Sequence, residues 1–387
     1  MTHSRWPGRR LVRASAAWLI LAAAITASGP AGVLAATAAG CQNWTGTQPP
    51  NPGSFQDILD SVAIQSACDA WAVGFQSSGG MIQTLTEHWD GSAWTVVPSP
   101  DPGSSTNFLR GVRGTSPSDV WAVGGYSDGN VGKSLILHWD GQKWTQMPSP
   151  SPGSAATDLH GVRAVSSNDA WAVGDADNGT TNRTVILHWD GTAWTRASSP
   201  SPGPSSQLSA VGATSHTDAW AVGDTSTASG VTTLTLHWNG TTWAQVASPN
   251  RSPGDELFAV RSTSGTDTWA VGESMIGGVE QTLALHWNGT KWTRVTTPDP
   301  GGPGVNSYLA GVAGTTATDM WAVGGTGSGT LILHWDGSRW TRVPSPNLGA
   351  SDGLNAVAAS SASNIWAVGQ FIDDTSGVNQ TLALHCC

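Results

Sequence analysis

Seven histidines recur along the chain, His88, His138, His188, His237, His286, His334 and His385, each closing a short run such as "LILH" at Leu135 to His138. Imidazole is a metal ligand and an acid-base catalyst, so what stands near these residues decides their chemistry. Upstream of each lies an acid or its amide: Asp69, Asp119, Asp169, Asp218, Asp267 and Asp319, with Asn364 in the seventh place. A metal centre or catalytic pair needs several such groups to converge on one point. Here each Asp and His belongs to its own repeat, and the repeat spreads the pairs apart. No metal and no cofactor is expected. The chemistry that remains is structural: an Asp-to-His hydrogen bond in most units, fixing the imidazole and capping a turn.

The elements that must position these residues follow from the repeat. "WAVG" begins at Trp71, Trp121, Trp171, Trp220, Trp269, Trp321 and Trp366, at steps of 45 to 52 residues. Two further tryptophans travel with it, one in "HW[DN]G" and one three residues beyond that glycine. With Trp6 and Trp18 they account for all 22. Fixed aromatic positions such as Trp121 and Trp171 are expected to pack between neighbouring units. Within one unit, "LFAVRST" and "TWAVGES" read as strands joined by the turn "SGTD"; "QTLALHW" and "KWTRVTT" follow, joined at "NG". Asn-Gly and Asp-Gly suggest a two-residue type I′ hairpin, a local reason for these residues that needs no calcium or substrate. "DADNG" at Asp175 begins like a calcium loop, but its acid spacing breaks after Asp177. No segment holds a 3.6-residue apolar period, and only 11% of residues are charged against about 25% in typical globular proteins. The expected fold is all-β: a seven-bladed β-propeller of four-stranded antiparallel blades.

The period and the four-strand unit resemble the kelch and galactose-oxidase type of propeller. The "W[DN]GxxW" hairpins are similar to the Asp-box hairpins of sialidase-like propellers, one residue shorter and without the leading Ser. The resemblance covers residues 41–387. A sialidase-like hydrolase would imply an arginine cluster, a Tyr nucleophile with an acid partner and an Asp acid, yet beyond residue 40 the only tyrosines are Tyr126 and Tyr308. An oxidase-like copper site would imply tyrosines and a cysteine near core histidines, whereas the cysteines sit at the chain ends and in one turn. No nucleophile elbow, zinc-binding helix or phosphate loop appears.

Function is expected where the repeats differ. At the upper end of the first, channel-lining strand, one position reads Asp60, Arg110, His160, Ser209, Phe258, Ala310 and Asn355. With the variable loops that follow "WAVG", these residues form the candidate ligand-binding mouth. A second inner-strand position carries Arg113, Arg163 and Arg261, nearer the opposite face.

The ends of the chain bear on closure and export. Residues 1–40 carry four arginines, an apolar run from about Ala16 and then small residues, reading as a secretory signal cut after Ala38 or Ala39. A membrane anchor is the alternative for that run; "AAGC" would alternatively make Cys41 a lipid-anchored residue. Without these residues the formal charge moves from -10 to -14, which disfavours nucleic acid and anionic lipid. The last unit stops after its third strand, and "QNWTGTQ" supplies an orphan fourth, so the N-terminal strand is expected to complete the last blade. Cys41 is then expected to bond Cys386 or Cys387, with Cys68 taking the other. Together these features describe an exported, monomeric, non-catalytic propeller that binds a protein or carbohydrate. A propeller enzyme (glycoside hydrolase or oxidase-like) and a surface-coat scaffold are the alternatives.

Overall fold

Alternating strand formers between short turns produce 28 strands and no helix among the described residues. The computed structural model describes Cys41 and residues 43–387; the signal segment expected over residues 1–40 lies outside the described residues. The strands group into seven antiparallel blades of four. In the second blade, inner strand Thr106–Ser116 is followed by Asp119–Ser127, Lys133–Trp139 and the short outer strand Trp144–Gln146, paired in that order. Each inner strand lies beside the inner strands of both neighbouring blades, and the ring closes where Gln56–Ser66 meets Asp352–Ser361. The chain is a seven-bladed β-propeller.

The seventh blade is built from both ends of the chain. Asp352–Ser361, Asn364–Ile372 and Asn379–Cys386 supply three strands, and Trp44–Thr47 adds the outer one, with Trp44 opposite Cys386 and Thr47 opposite Ala383. Cys41 is disulfide-bonded to Cys386, with Cα atoms 5.8 Å apart. The second expected bridge is absent: Cys68 and Cys387 are exposed free thiols. The reason is local packing. Cys68 sits against the hairpin glycine of its own blade, so a Cβ on Gly91 would lie 2.9 Å from the Cys68 Cβ. Ser118, Asn168, Thr217, Thr266 and Thr318 hold the equivalent place in other blades. Each such turn closes onto its own hairpin, whereas Cys387 belongs to the seventh blade.

Tryptophan binds blade to blade. Trp121, 1% exposed, packs on His138 of its own blade at 4.3 Å between ring centroids. From the third blade it is met by Trp189 at 5.0 Å and, edge-on, by Trp194 at 5.2 Å. Trp171 repeats this with Trp238 and Trp243. Edge-to-face pairs of this kind add to the area each indole buries. Where the sixth blade meets the seventh, Trp321 packs on Trp44, while Cys386 stands where other blades place the hairpin tryptophan.

The outer hairpins differ from the two-residue turn expected. Trp139 pairs with Trp144, leaving a four-residue connection. Asp140 Oδ1 accepts hydrogen bonds from the backbone N–H groups of Gln142 and Lys143 at 2.8 and 2.9 Å. Only the glycine takes a left-handed backbone, with φ 93° at Gly141. The Asp or Asn is there to accept two turn N–H bonds, not to tolerate positive φ.

Candidate functional site

The channel mouth is made by a defect in strand pairing. Leu59 pairs with Gly74 and Ser61 with Val73, so Asp60 is the extra residue of a β-bulge. The same bulge falls at Arg110, His160, Ser209, Phe258, Ala310 and Asn355. A bulge re-aims its extra side chain, and all seven residues line one cavity of about 170 Å³ at the ring axis. The position singled out in the sequence is therefore brought together in space.

The bulge also accounts for the glycine of "WAVG". A Cβ on Gly74 would lie 1.9 Å from the Ile58 carbonyl oxygen, and the other six glycines face the equivalent carbonyl at 1.9 to 2.2 Å. No side chain fits there. The most regular motif in the sequence thus exists partly to let the least regular position enter the channel.

Around the mouth the seven residues do different things. Arg110 Nη1 lies 3.9 Å from Asp60 Oδ2 on the preceding blade, and its guanidinium sits 4.8 Å from the Phe108 ring centroid. His160 shares its Nδ1 with the Leu208 carbonyl at 3.0 Å, so that nitrogen is the donor. Its Nε2 faces Asp175 Oδ1 at 3.4 Å. Ser209 and Phe258 remain half-buried, and Ala310 brings no polar group. Asn355 lines the cavity with the others, and its amide nitrogen donates to the Leu59 carbonyl at 2.9 Å and to Gln370 Oε1 at 2.7 Å. Only 8% exposed, it ties the seventh blade to the first.

An arc of acids beside the mouth was missed. Blades three to five pair Asp158 with Asp175, Gln207 with Asp224, and Glu256 with Glu273 directly across two strands. Like charges in such pairs repel unless protonated or met by a cation. Burial, then Asp158, Asp177 and Asp224, raises Asp175 to about 7, with Arg110 opposing. Burial raises Asp224 to about 6 against a hydrogen bond from Gln207. Burial, then Asp224 and Glu280, raises Glu256 to about 7. His160 is pushed down to about 4 by burial, then by Arg110. A neutral imidazole donating through Nδ1 presents Nε2 as acceptor, and a protonated Asp175 is its natural donor. The signal was present in "WAVGD", "WAVGD" and "WAVGE" of three successive repeats.

The recurrent Asp and His residues lie at the opposite face, where second strands begin and third strands end. His138 Nε2 is 2.8 Å from Asp119 Oδ1 and His188 Nε2 is 2.8 Å from Asp169 Oδ1. The four other pairs, with Asp69, Asp218, Asp267 and Asp319, span 2.6 to 3.0 Å, and Asn364 meets His385 at 3.0 Å. Thr115, Thr214 and Thr263 donate to the second oxygens of Asp119, Asp218 and Asp267. The His138 bond, then Thr115, holds Asp119 below the usual carboxylate range. These are turn clasps, as the repeat implied.

No protein-family model and no curated protein matches the chain. Solved structures do. YCF48 bound to D1 peptide is 17% identical with TM-score 0.54, covering 89% of this chain and 96% of that one. YCF48 from Cyanidioschyzon merolae is 17% identical with TM-score 0.52, covering 88% and 98%. The WD40 β-propeller domain of Doa1 is 9% identical with TM-score 0.56, covering 88% and 96%. The likeness is one of fold, and it places this chain among the β-propellers.

Proposed function

We infer that this is an exported, non-catalytic binding propeller whose protein partner docks on the loop face and reaches into the channel mouth. One observation carries the reading: a backbone device repeated seven times projects seven different residue types into one cavity, while the frame around it is nearly invariant. The acidic arc on blades three to five favours a basic segment of the partner, because a bound cation relieves the Asp158–Asp175 repulsion and the charge that Asp224 and Glu280 place on Glu256. A fold neighbour solved with a peptide is consistent with such docking. Export is supported by the signal-like residues 1–40 and by the Cys41–Cys386 disulfide; that bond occupies the sulfur a lipid anchor would need. The kelch-like affinity and a monomeric state belong to the same reading.

A second reading, a propeller hydrolase, has one observation in its favour: Asp175, held near 7 beside His160 at a cavity mouth, is poised as a general acid. A basic-peptide library displayed against the purified protein tests the first reading. Binding weakened roughly tenfold or more by Asp224→Asn or Glu256→Gln supports it, and binding indifferent to both sinks it. Turnover of glycoside substrates lost in Asp175→Asn would favour the second.

A further inference from the structure

Below the mouth the cavity changes sign. Arg113, Arg163 and Arg261 each stand opposite the tryptophan of "WAVG" in their own blade, pairing with Trp121, Trp171 and Trp269. They therefore occupy one level of the channel. The other four places at that level are Ala63, Gly212, Ala313 and Ala358, which leave the space between the arginines open.

The three guanidinium groups line the same cavity as the bulge residues. Among the described residues, none has a carboxylate within ion-pair distance, and Arg113 and Arg163 make no hydrogen bond. The Nε of Arg163 is buried without an acceptor. Arg261 has one bond, from Nε to the Gly314 carbonyl of the next blade at 3.1 Å. Burial, then Arg163 and Arg261, pulls Arg113 well below its ordinary value; burial, then Arg261, brings Arg163 to about 10. Arg113 and Arg163 therefore each feel a neighbouring arginine's charge across the lumen, while Arg261 is lowered by burial alone. Guanidinium stays protonated in proteins, so this level carries positive charge that the protein itself does not answer.

We propose that this arginine level is a binding site for one small oxyanion, a carboxylate, sulfate or phosphate, held by planar N–H forks converging on the channel axis. Arginine presents paired donors that match two oxygens of such a group, and in a narrow channel these bonds are strengthened by exclusion of water. The site goes beyond partner docking at the mouth and does not depend on it. The ligand is either a free inorganic ion or a carboxylate, and both share this chemistry.

The test is calorimetric titration of the whole chain with inorganic sulfate, inorganic phosphate and acetate, beside thermal unfolding with and without each ion. The expected result is saturable binding of one equivalent of at least one probe and a rise in Tm with its concentration. Preference for sulfate or phosphate marks a free inorganic ion as the ligand; preference for acetate marks a carboxylate. Arg113→Met and Arg163→Met should each weaken binding roughly tenfold or more and remove the ion-dependent rise in Tm. In ion-free buffer the same variants should unfold at a higher temperature than the wild type, because each removes an unanswered charge; this shows that they fold. Arg339→Met, at the surface, should change neither readout. No saturable binding of any probe, or binding unchanged in both channel variants, overturns the proposal.

Discussion

Glu87 stands in the third strand of the first blade at the place where the others carry Leu137, Leu187, Leu236, Leu285, Leu333 and Leu384. It is 0% exposed, and neither carboxyl oxygen has a hydrogen-bond partner among the described residues. Burial, then Asp57, raises it from 4.5 to about 9. The sign follows from proton counting: between those two values the folded protein keeps a proton that the unfolded chain has released. Stability contributed by this residue is therefore lost as pH rises from 4.5 to about 9, by about 1.4 kcal/mol per pH unit. At about pH 7 the accumulated cost is roughly 3 kcal/mol. Glu87→Leu removes it and adds about 2 kcal/mol of apolar burial; Glu87→Gln removes the titration and keeps the buried polar group. Urea unfolding of all three proteins between about pH 5 and about pH 8 measures the difference. The gap between Glu87→Gln and the wild type should widen steadily with pH, and Glu87→Leu should be the most stable throughout. A gap flat over that range, or a leucine variant less stable than the wild type at the upper end, refutes the reasoning.

Other perturbations test the frame. Gly174→Ala places a Cβ 1.9 Å from the Asp158 carbonyl and should cost about 3 kcal/mol in chemical unfolding while distorting the bulge at His160; a neutral substitution would remove the stated reason for the motif's glycine. The Cys41–Cys386 bond spans 345 residues, so Cys41→Ser should lose up to about 6 kcal/mol in the chain-entropy model. A circular permutant joining residue 387 to residue 41, with Cys386→Trp, Cys387→Asp and Cys41→Gly, restores the four-residue hairpin and should recover most of that stability without a disulfide. Asp119→Ala removes the partner of His138 and Thr115 and should cost about 1–3 kcal/mol. Because the folded Asp119 titrates below its ordinary value of 3.8, that contribution is present above 3.8 and fades as pH falls through the lower folded value, so the variant and wild type should converge in acid.

Much of the architecture was legible because it is periodic. Seven copies of "WAVG" count the blades, the orphan "QNWTGTQ" locates the strand that completes the last one, and the recurrence of one Asp and one His per repeat predicts their hydrogen bond. The Glu among leucines at position 87 was equally visible, but its cost is not, since it depends on the absence of a partner in a closed interface. Other features depend on which atoms meet across strands. The register of each inner strand against the next decides that Asp60 and its six counterparts are bulge residues. The same register sets Asp158 against Asp175 and leaves Cys68 on its own blade's hairpin while Cys41 reaches Cys386. Periodicity is a property of one chain read along its length, and it determined how many blades form and which faces they bury. Distances between residues fifty or three hundred places apart exist only after the ring closes, and closure alone brought three arginines to one level of the channel and acids from three blades to its mouth.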